Sequence, residues 1–140
     1  MRTIRMMALS IGLSLASMAS AADKIASLEV NIDDAALIKK VTGIRTLFVI
    51  LYDADSPMPR PYGAMKVDLK ADAKGSIFKG DLTTENVQVM GGGAVPKNLR
   101  IKARLDKDGT AGKDQSGDLV GSAEKVKPGD AVKVNITQAI

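Results

Sequence analysis

Two pairs of acidic residues are the first side chains in this sequence whose type and spacing could do chemistry. Asp53 and Asp55 flank one alanine, and Asp106 and Asp108 flank one lysine. Carboxylates in loops supply the hard oxygen ligands that calcium takes, although a full EF-hand loop would need further acids and a terminal glutamate. A turn from Asp106 to Gly109 explains the second pair more simply. We therefore assign no metal or cofactor to the chain and keep calcium as the alternative.

A proline-rich stretch over residues 56–61, of sequence SPMPRP, is the most distinctive candidate for binding. Proline fixes φ, so such a loop is ordered before it meets a partner and loses little chain entropy on docking. Met58 adds a flexible, polarizable side chain that suits an adaptable contact. We therefore name Pro57, Met58 and Pro59 as partner-contact residues. The alternatives are a stiff connection without a partner, or a Met58 side chain tucked under the loop beside the core.

Three cations, Arg100, Lys102 and Arg104, alternate with apolar residues along another stretch. In a strand, this alternation places the apolar side chains in the core and the cations on the opposite face. We expect that face to be a cationic row in water, which also discourages edge-to-edge association. Contact with an acidic partner or with lipid head groups is the alternative.

The residue types that are missing exclude much catalytic and metal-binding chemistry. Among 140 residues there is no cysteine, no histidine and no tryptophan. Disulfides, Cys/His zinc or copper sites, and dyads or triads with a histidine base are therefore excluded. The triple glycine at 91–93 lacks the lysine and the helix of a phosphate-binding loop. No remaining pair of residues sits in a catalytic context, so we predict that the protein is not an enzyme.

The charge distribution argues against a nucleic-acid partner. The chain carries 20 basic and 16 acidic residues, with both signs interspersed and no basic run. Only two tyrosines and two phenylalanines are available for stacking on bases. We therefore expect no nucleic acid among the partners.

Short strands have to position these candidates, because apolar residues mostly alternate with polar ones. Residues 46–52 are apolar on both faces, which predicts a central strand. Residues 33–40 are the one helical segment, at most about two turns in the first loop. Turn residues separate the other alternating segments, at 28–32, 64–69, 76–80, 99–105 and 131–137. We predict one all-β domain: a single antiparallel immunoglobulin-like β-sandwich of about seven strands with one short helical turn in the first loop.

The first 21 residues have the three parts of a secretory signal. Arg2 and Arg5 form a positive start, residues 6–15 are an apolar run too short to span a bilayer, and residues 19–21 are an A-x-A cleavage site. The two arginines are not adjacent, which favours the Sec route over twin-arginine export. We expect cleavage after Ala21, a β-sandwich domain over 22–140, a periplasmic location and no transmembrane anchor.

Several motifs, in their order along the chain, resemble one known domain. They are residues 28–32 (LEVNI), 48–52 (FVILY), 57–59 (PMP), 103–109 (ARLDKDG), 117–121 (GDLVG) and 132–136 (VKVNI). The set is similar to the C-terminal periplasmic β-domain of the cytochrome c-type biogenesis protein CycH (CcmI) family. In that family a long strand, a Pro-Met-Pro loop, a hairpin and a GDL-x-G segment follow one another. The likeness covers roughly residues 26–140.

The resemblance implies a part in the periplasmic maturation of c-type cytochromes, with components of the haem-ligation machinery or apocytochrome c as partners. Asp118 and Leu119 of the GDLVG segment join the partner-contact residues on this basis. The family's membrane anchor and its helical tetratricopeptide repeats have no counterpart in this sequence. We therefore expect a freestanding, non-catalytic accessory or docking module that acts by protein–protein contact. The alternative is a general periplasmic sandwich protein that binds a small ligand, an ion or the envelope surface.

Export can be tested by N-terminal sequencing of the protein recovered from the periplasmic fraction of a Gram-negative host. We expect the sequence to start at Ala22, because the small-residue motif ends at Ala21. An intact Met1 in the cytoplasmic fraction would contradict both the cleavage and the location.

Overall fold

The computed structural model describes residues 23–58, 60–91 and 93–140, so the predicted signal segment at 1–21 lies outside the described residues. The described chain forms nine strands and one short helix, and the prediction of an all-β fold is confirmed. The sequence predicts about seven strands. The two additional strands are β5 and β9, which have only two residues each and show no pattern in the sequence. In chain order the elements are β1 (Lys24–Ile32), α1 (Ala35–Ile38), β2 (Thr46–Asp53), β3 (Pro61–Asp68), β4 (Gly75–Thr83), β5 (Gln88–Val89), β6 (Leu99–Asp106), β7 (Leu119–Val126), β8 (Ala131–Asn135) and β9 (Gln138–Ala139).

The strands form two sheets of a sandwich. One sheet has the order β4-β1-β8, and the other has the order β5-β3-β2-β6-β7-β9. Neighbouring strands pair antiparallel except for β1 and β8, which run parallel from Ser27 opposite Ala131 to Asn31 opposite Asn135. The predicted central strand is confirmed, since β2 lies between β3 and β6 inside the larger sheet.

The core lies between the two sheets and is aliphatic. Leu47, Val49 and Leu51 of β2 are fully buried and point into it, while β1, β6 and β8 contribute alternate residues to the same cluster. This confirms the inward face predicted from the alternation of apolar and polar residues. The members of that predicted face that are buried are Leu28, Val30, Ile32, Leu99, Ile101, Ala103, Leu105, Val134 and Ile136.

β2 buries its second face as well. Phe48 and Ile50 are only 7% and 8% exposed, yet they lie outside the inter-sheet cluster. Because successive residues of a strand point to opposite faces, these two side chains lie on the outer side of the six-stranded sheet. Part of their cover is Arg104, whose guanidinium carbon lies 5.1 Å from the centre of the Phe48 ring.

The helical segment forms a single turn, α1, in the predicted first loop between β1 and β2. Its start is capped by Asp34, whose carboxylate accepts a hydrogen bond from the Ala36 N–H at 2.8 Å. Leu37 is the buried residue of the turn. Within the described residues, no helix is long and apolar enough to span a bilayer.

The two sheets approach each other closely where the chain leaves β8 and enters β9. A Cβ atom on Gly121 of β7 would lie 1.9 Å from the carbonyl oxygen of Asn135 and 3.0 Å from the Cα of Ile136. Just beyond this crossing, the Thr137 N–H donates to the carbonyl of Val120 at 3.0 Å. Only glycine lets two backbones pass at this distance, so the fold itself requires the last residue of the GDLVG segment.

The variant Gly121→Ala tests this crossing. The added methyl group meets backbone atoms that cannot rotate away, so we expect the free energy of unfolding to fall by about 3 kcal/mol or more. Thermal and urea unfolding of the purified protein measure the change. The matched control is Ser122→Ala, at the next and exposed position, which should alter stability by less than about 0.5 kcal/mol. Equal stability of the two variants would contradict the described path of residues 135–137.

Candidate functional site

The predicted partner-contact residues lie in the connection from β2 to β3, residues 54–60, which we call the contact loop. Hydrogen bonds within the loop hold its backbone. The Ser56 hydroxyl donates to the carbonyl of Met58 at 2.8 Å, and the Arg60 N–H donates to the same carbonyl at 2.7 Å. Pro57 is exposed, and Met58 is 57% exposed. The alternative of a Met58 side chain tucked beside the core is therefore wrong. Pro59 lies outside the described residues.

The same loop is hydrogen bonded to the segment that directly precedes β6. The Ala54 N–H donates to the Asn98 carbonyl at 2.9 Å, and the Asn98 amide donates to the Asp55 carboxylate at 2.8 Å. Met90, which is 47% exposed, is tied to the start of β3 because its N–H donates to the carbonyl of Tyr62 at 2.8 Å. The contact loop and Met90 thus lie at one end of the six-stranded sheet, which we call the loop end.

Asp118 and Leu119 do not belong to this surface. Each is only 1% exposed, and Leu119 is part of the hydrophobic core. The Asp118 carboxylate accepts hydrogen bonds from the Lys107 N–H at 2.9 Å and from the Gln115 N–H at 2.8 Å. As folded, the domain does not present these two side chains to a partner, because both are used inside it. The proposed contacts are therefore reduced to the residues of the loop.

Arg104 departs most from the sequence prediction. Its side chain is 3% exposed, so the expected row of solvated cations is wrong at this position. Its Nε lies 2.9 Å from a carboxylate oxygen of Asp106, and its Nη1 donates to the Gly112 carbonyl at 2.8 Å and to Asp114 at 3.1 Å. The guanidinium is buried because the chain that follows β6 folds back over it.

Residues 107–118, which connect β6 to β7 and are called the strap below, are held by carboxylates. Asp106 accepts hydrogen bonds from the N–H groups of Asp108 at 3.2 Å and Gly109 at 2.9 Å. These bonds bend the chain directly after β6, where Gly109 adopts a positive φ of +73°. The two strands are joined by the twelve-residue strap and not by the predicted tight hairpin turn at 106–109. In the part of the chain that the structure describes, no group of three or more potential metal-ligating side chains occurs.

The pKa values of two carboxyl groups near Arg104 are shifted in opposite directions. Burial disfavours the charged form of Asp114, but hydrogen bonds from Lys102, at 2.5 Å, and from Arg104 outweigh it and hold the pKa of Asp114 below its usual 3.8. The pKa of Asp106 is raised, first by burial and then by a hydrogen bond with the Asp108 side chain. The neighbouring cations thus favour the charged form of Asp114, whereas burial disfavours the charged form of Asp106.

The other two cations of the row line a cleft of about 400 Å³ on the outer face of the six-stranded sheet. Lys102 is largely buried and paired with Asp114. The guanidinium carbon of Arg100 lies 4.2 Å from the centre of the Tyr52 ring, within cation–π distance. Among the described residues, no acidic side chain pairs with Arg100. Of the three cations in the row, Arg104 is buried and paired, Lys102 is paired with Asp114, and Arg100 has no acidic partner among the described residues.

Comparisons with protein families, with curated proteins and with solved structures returned no match for this chain. Two features of the described residues remain as candidates for function: the exposed contact loop and the cleft beside Arg100. The sequence reasoning missed the cluster around Arg104. The signal that was available for it is the density of acids directly after the strand, at Asp106, Asp108, Asp114 and Asp118.

The variant Arg104→Gln tests the buried cluster. It leaves the Asp106 and Asp118 carboxylates buried without their countercharge, so we expect a loss of about 3–5 kcal/mol in the free energy of unfolding. Lys66→Gln is the matched control, because Lys66 is the other cross-strand neighbour of Phe48 and is exposed. It should cost less than about 0.5 kcal/mol in urea unfolding. Comparable losses in both variants would contradict the described burial.

The variant Asp114→Asn tests the charge that holds the strap. A carboxyl whose folded pKa is depressed adds stability above its unfolded pKa and loses it as the pH falls through the folded value. We therefore expect Asp114→Asn to be less stable than wild type at pH 7, with the gap closing below about pH 4. Thermal unfolding at pH 7 and at a pH well below about 4 measures this difference, with the exposed Asp33→Asn as control. A gap that stays constant with pH would be inconsistent with the ion pairs of Asp114.

Proposed function

We propose that the protein is an exported, non-catalytic docking module of periplasmic c-type cytochrome maturation, which acts by protein–protein contact. The observation that carries the contact is Met58, whose side chain is 57% exposed on a loop that hydrogen bonds hold in place. The ordered motifs that resemble the β-domain of the CycH family support the maturation system as the setting.

The shared motifs meet definite needs of this fold, which supports treating them as a family pattern. Gly117 has a φ of +99°, and a side chain there would also meet the Lys107 side chain. Asp118 holds both ends of the strap through backbone N–H groups, and Gly121 permits the crossing at Asn135. A related domain with the same strap and the same crossing would need the same residue types at the same spacing.

Docking on the contact loop requires little further ordering. The hydrogen bonds from Ser56 and Arg60 define the backbone, and the ring of Pro57 fixes its φ. The exposed large apolar residues among those described are Met58, Met90 and Ile140, and the first two lie near the loop end. An ordered apolar group that is already exposed gains contact area without a large entropy cost, as interface anchors do.

The cleft beside Arg100 favours a second candidate function, the binding of a ligand by a periplasmic sandwich protein. Its volume of about 400 Å³ falls within the range of small-ligand sites, and Arg100 supplies an unpaired charge. The two functions are compatible, because the cleft and the contact loop use different side chains.

The maturation role can be tested by deleting the gene, staining c-type cytochromes for covalent haem and repeating a periplasmic pull-down with variants. We expect reduced covalent haem in the deletion strain and recovery of haem-ligation components by the wild-type protein. The double variant Pro57→Ser/Met58→Ala should weaken the capture by about 1–2 kcal/mol, the scale of a moderate interface anchor. Its melting temperature should stay within a few degrees of wild type, because both side chains are exposed.

The control for this experiment is Lys74→Ala, which removes a long exposed side chain from the connection that leaves the far end of β3. Lys74 lies away from the contact loop and does not line the cleft. Capture should be unchanged in this variant. Unchanged covalent haem together with no recovered maturation component would refute the maturation role. Recovery that the double variant leaves intact would place the contact elsewhere on the protein.

A further inference from the structure

We propose that the cleft beside Arg100 binds a carboxylate group carried by an acidic segment of a partner polypeptide. This inference depends on the cleft alone and stands whether or not the protein serves cytochrome maturation. The side chains that bear on it are Arg100, Lys102 and Asp114 with Ser122, Thr137 and Gln138 along the rim.

Arg100 has the geometry of a carboxylate receptor. Its guanidinium lies over the ring of Tyr52, the residue directly across from it on β2, at 4.2 Å from the ring centre. Stacking uses the π face of the guanidinium and leaves the N–H donors along its edge available. Among the described residues, no hydrogen bond or ion pair engages those donors. A planar donor fork held on an aromatic ring is prepared for a two-point contact with a carboxylate.

The charge in the cleft fits a single negative charge. Lys102 is neutralised by Asp114, with 2.5 Å between nitrogen and oxygen, so the uncompensated cation is Arg100. Glu124 lies near the rim, where its carboxylate accepts a hydrogen bond from the Ser122 hydroxyl at 3.3 Å. A carboxylate balances Arg100, whereas a phosphate dianion would add repulsion from Asp114 and Glu124. The electrostatics therefore favour carboxylate over phosphate.

The position of the cleft favours a polypeptide as the carrier of that carboxylate. Tyr52 is the next-to-last residue of β2, so Arg100 lies toward the loop end, and the cleft extends from it along β7 and β9 toward Ile140. The hydroxyl and amide groups of Ser122, Thr137 and Gln138 are exposed along the cleft and can hydrogen bond to a main chain. An extended acidic segment can place one carboxylate on Arg100 and lie along these groups.

The test is a titration of the ¹⁵N-labelled protein, purified from the periplasm, with a triglutamate peptide blocked at both ends. At low salt we expect saturable chemical-shift changes of the Arg100 Nε–H and of the Ser122 and Gln138 amides, and none with a triglutamine peptide. Arg100→Gln should lower the affinity by about tenfold or more, since a charged hydrogen-bonded contact is lost. Arg100→Lys should also weaken binding, because it keeps the charge and loses the fork. Lys74→Gln, which removes an exposed cation outside the cleft, should bind as wild type does.

Two further measurements keep the result decisive if Arg100→Gln folds poorly. Tyr52→Leu removes the stacking platform without changing the charge, and it should weaken triglutamate binding several-fold. The Arg100 Nε–H resonance of the wild-type protein reports contact with no variant at all. Binding that is equal in Arg100→Gln and wild type, or equal for triglutamine and triglutamate, would overturn the proposal. Inorganic phosphate binding more tightly than triglutamate would overturn the assignment of the carboxylate.

Discussion

The outer face of the six-stranded sheet depends on one buried guanidinium. Arg104 lies over the Phe48 ring, and the strap covers its other side. Removing an arginine from water costs several kcal/mol unless carboxylates and hydrogen bonds replace the water, so the acids that surround Arg104 are a condition of its burial. Their positions set the path of the strap, and Asp114 then draws in Lys102 as well. What stays open beside this cluster is the cleft with Arg100.

The parts of the fold that could be predicted are those that a local pattern encodes. Alternation at 99–105 assigns inward and outward faces, and an apolar run at 46–52 indicates a strand covered on both faces, because both signals follow from a side-chain period of two. The parallel pairing of β1 with β8 and the crossing at Gly121 depend on segments far apart in the chain, which no local pattern describes. The two-residue strands β5 and β9 are too short to show any period.

In the candidate site, too, some features could be predicted from a local sequence pattern and others could not. Exposure of Pro57 and Met58 could be predicted, because prolines keep a segment out of the sheet ladder. The burial of Arg104 could not, since alternation tells which face a residue is on and nothing about what covers that face. The resemblance to a family directed attention to Asp118 and Leu119, yet a family pattern contains residues that the fold needs as well as residues that a partner needs. Their 1% exposure assigns both to the fold.

The parallel pairing of β1 with β8 has a consequence for how the domain is made. Ser27 and Ala131 are neighbours in the sheet although more than 100 positions separate them in the chain, and within the described residues β4 is the only other strand that pairs with β1. The small sheet therefore cannot be completed until residue 135 is available. Pairing between segments so far apart in the chain is typical of domains with a high contact order. Most of the domain is therefore synthesised before the last pairing of its small sheet can form, and β1 keeps one unpaired edge until then.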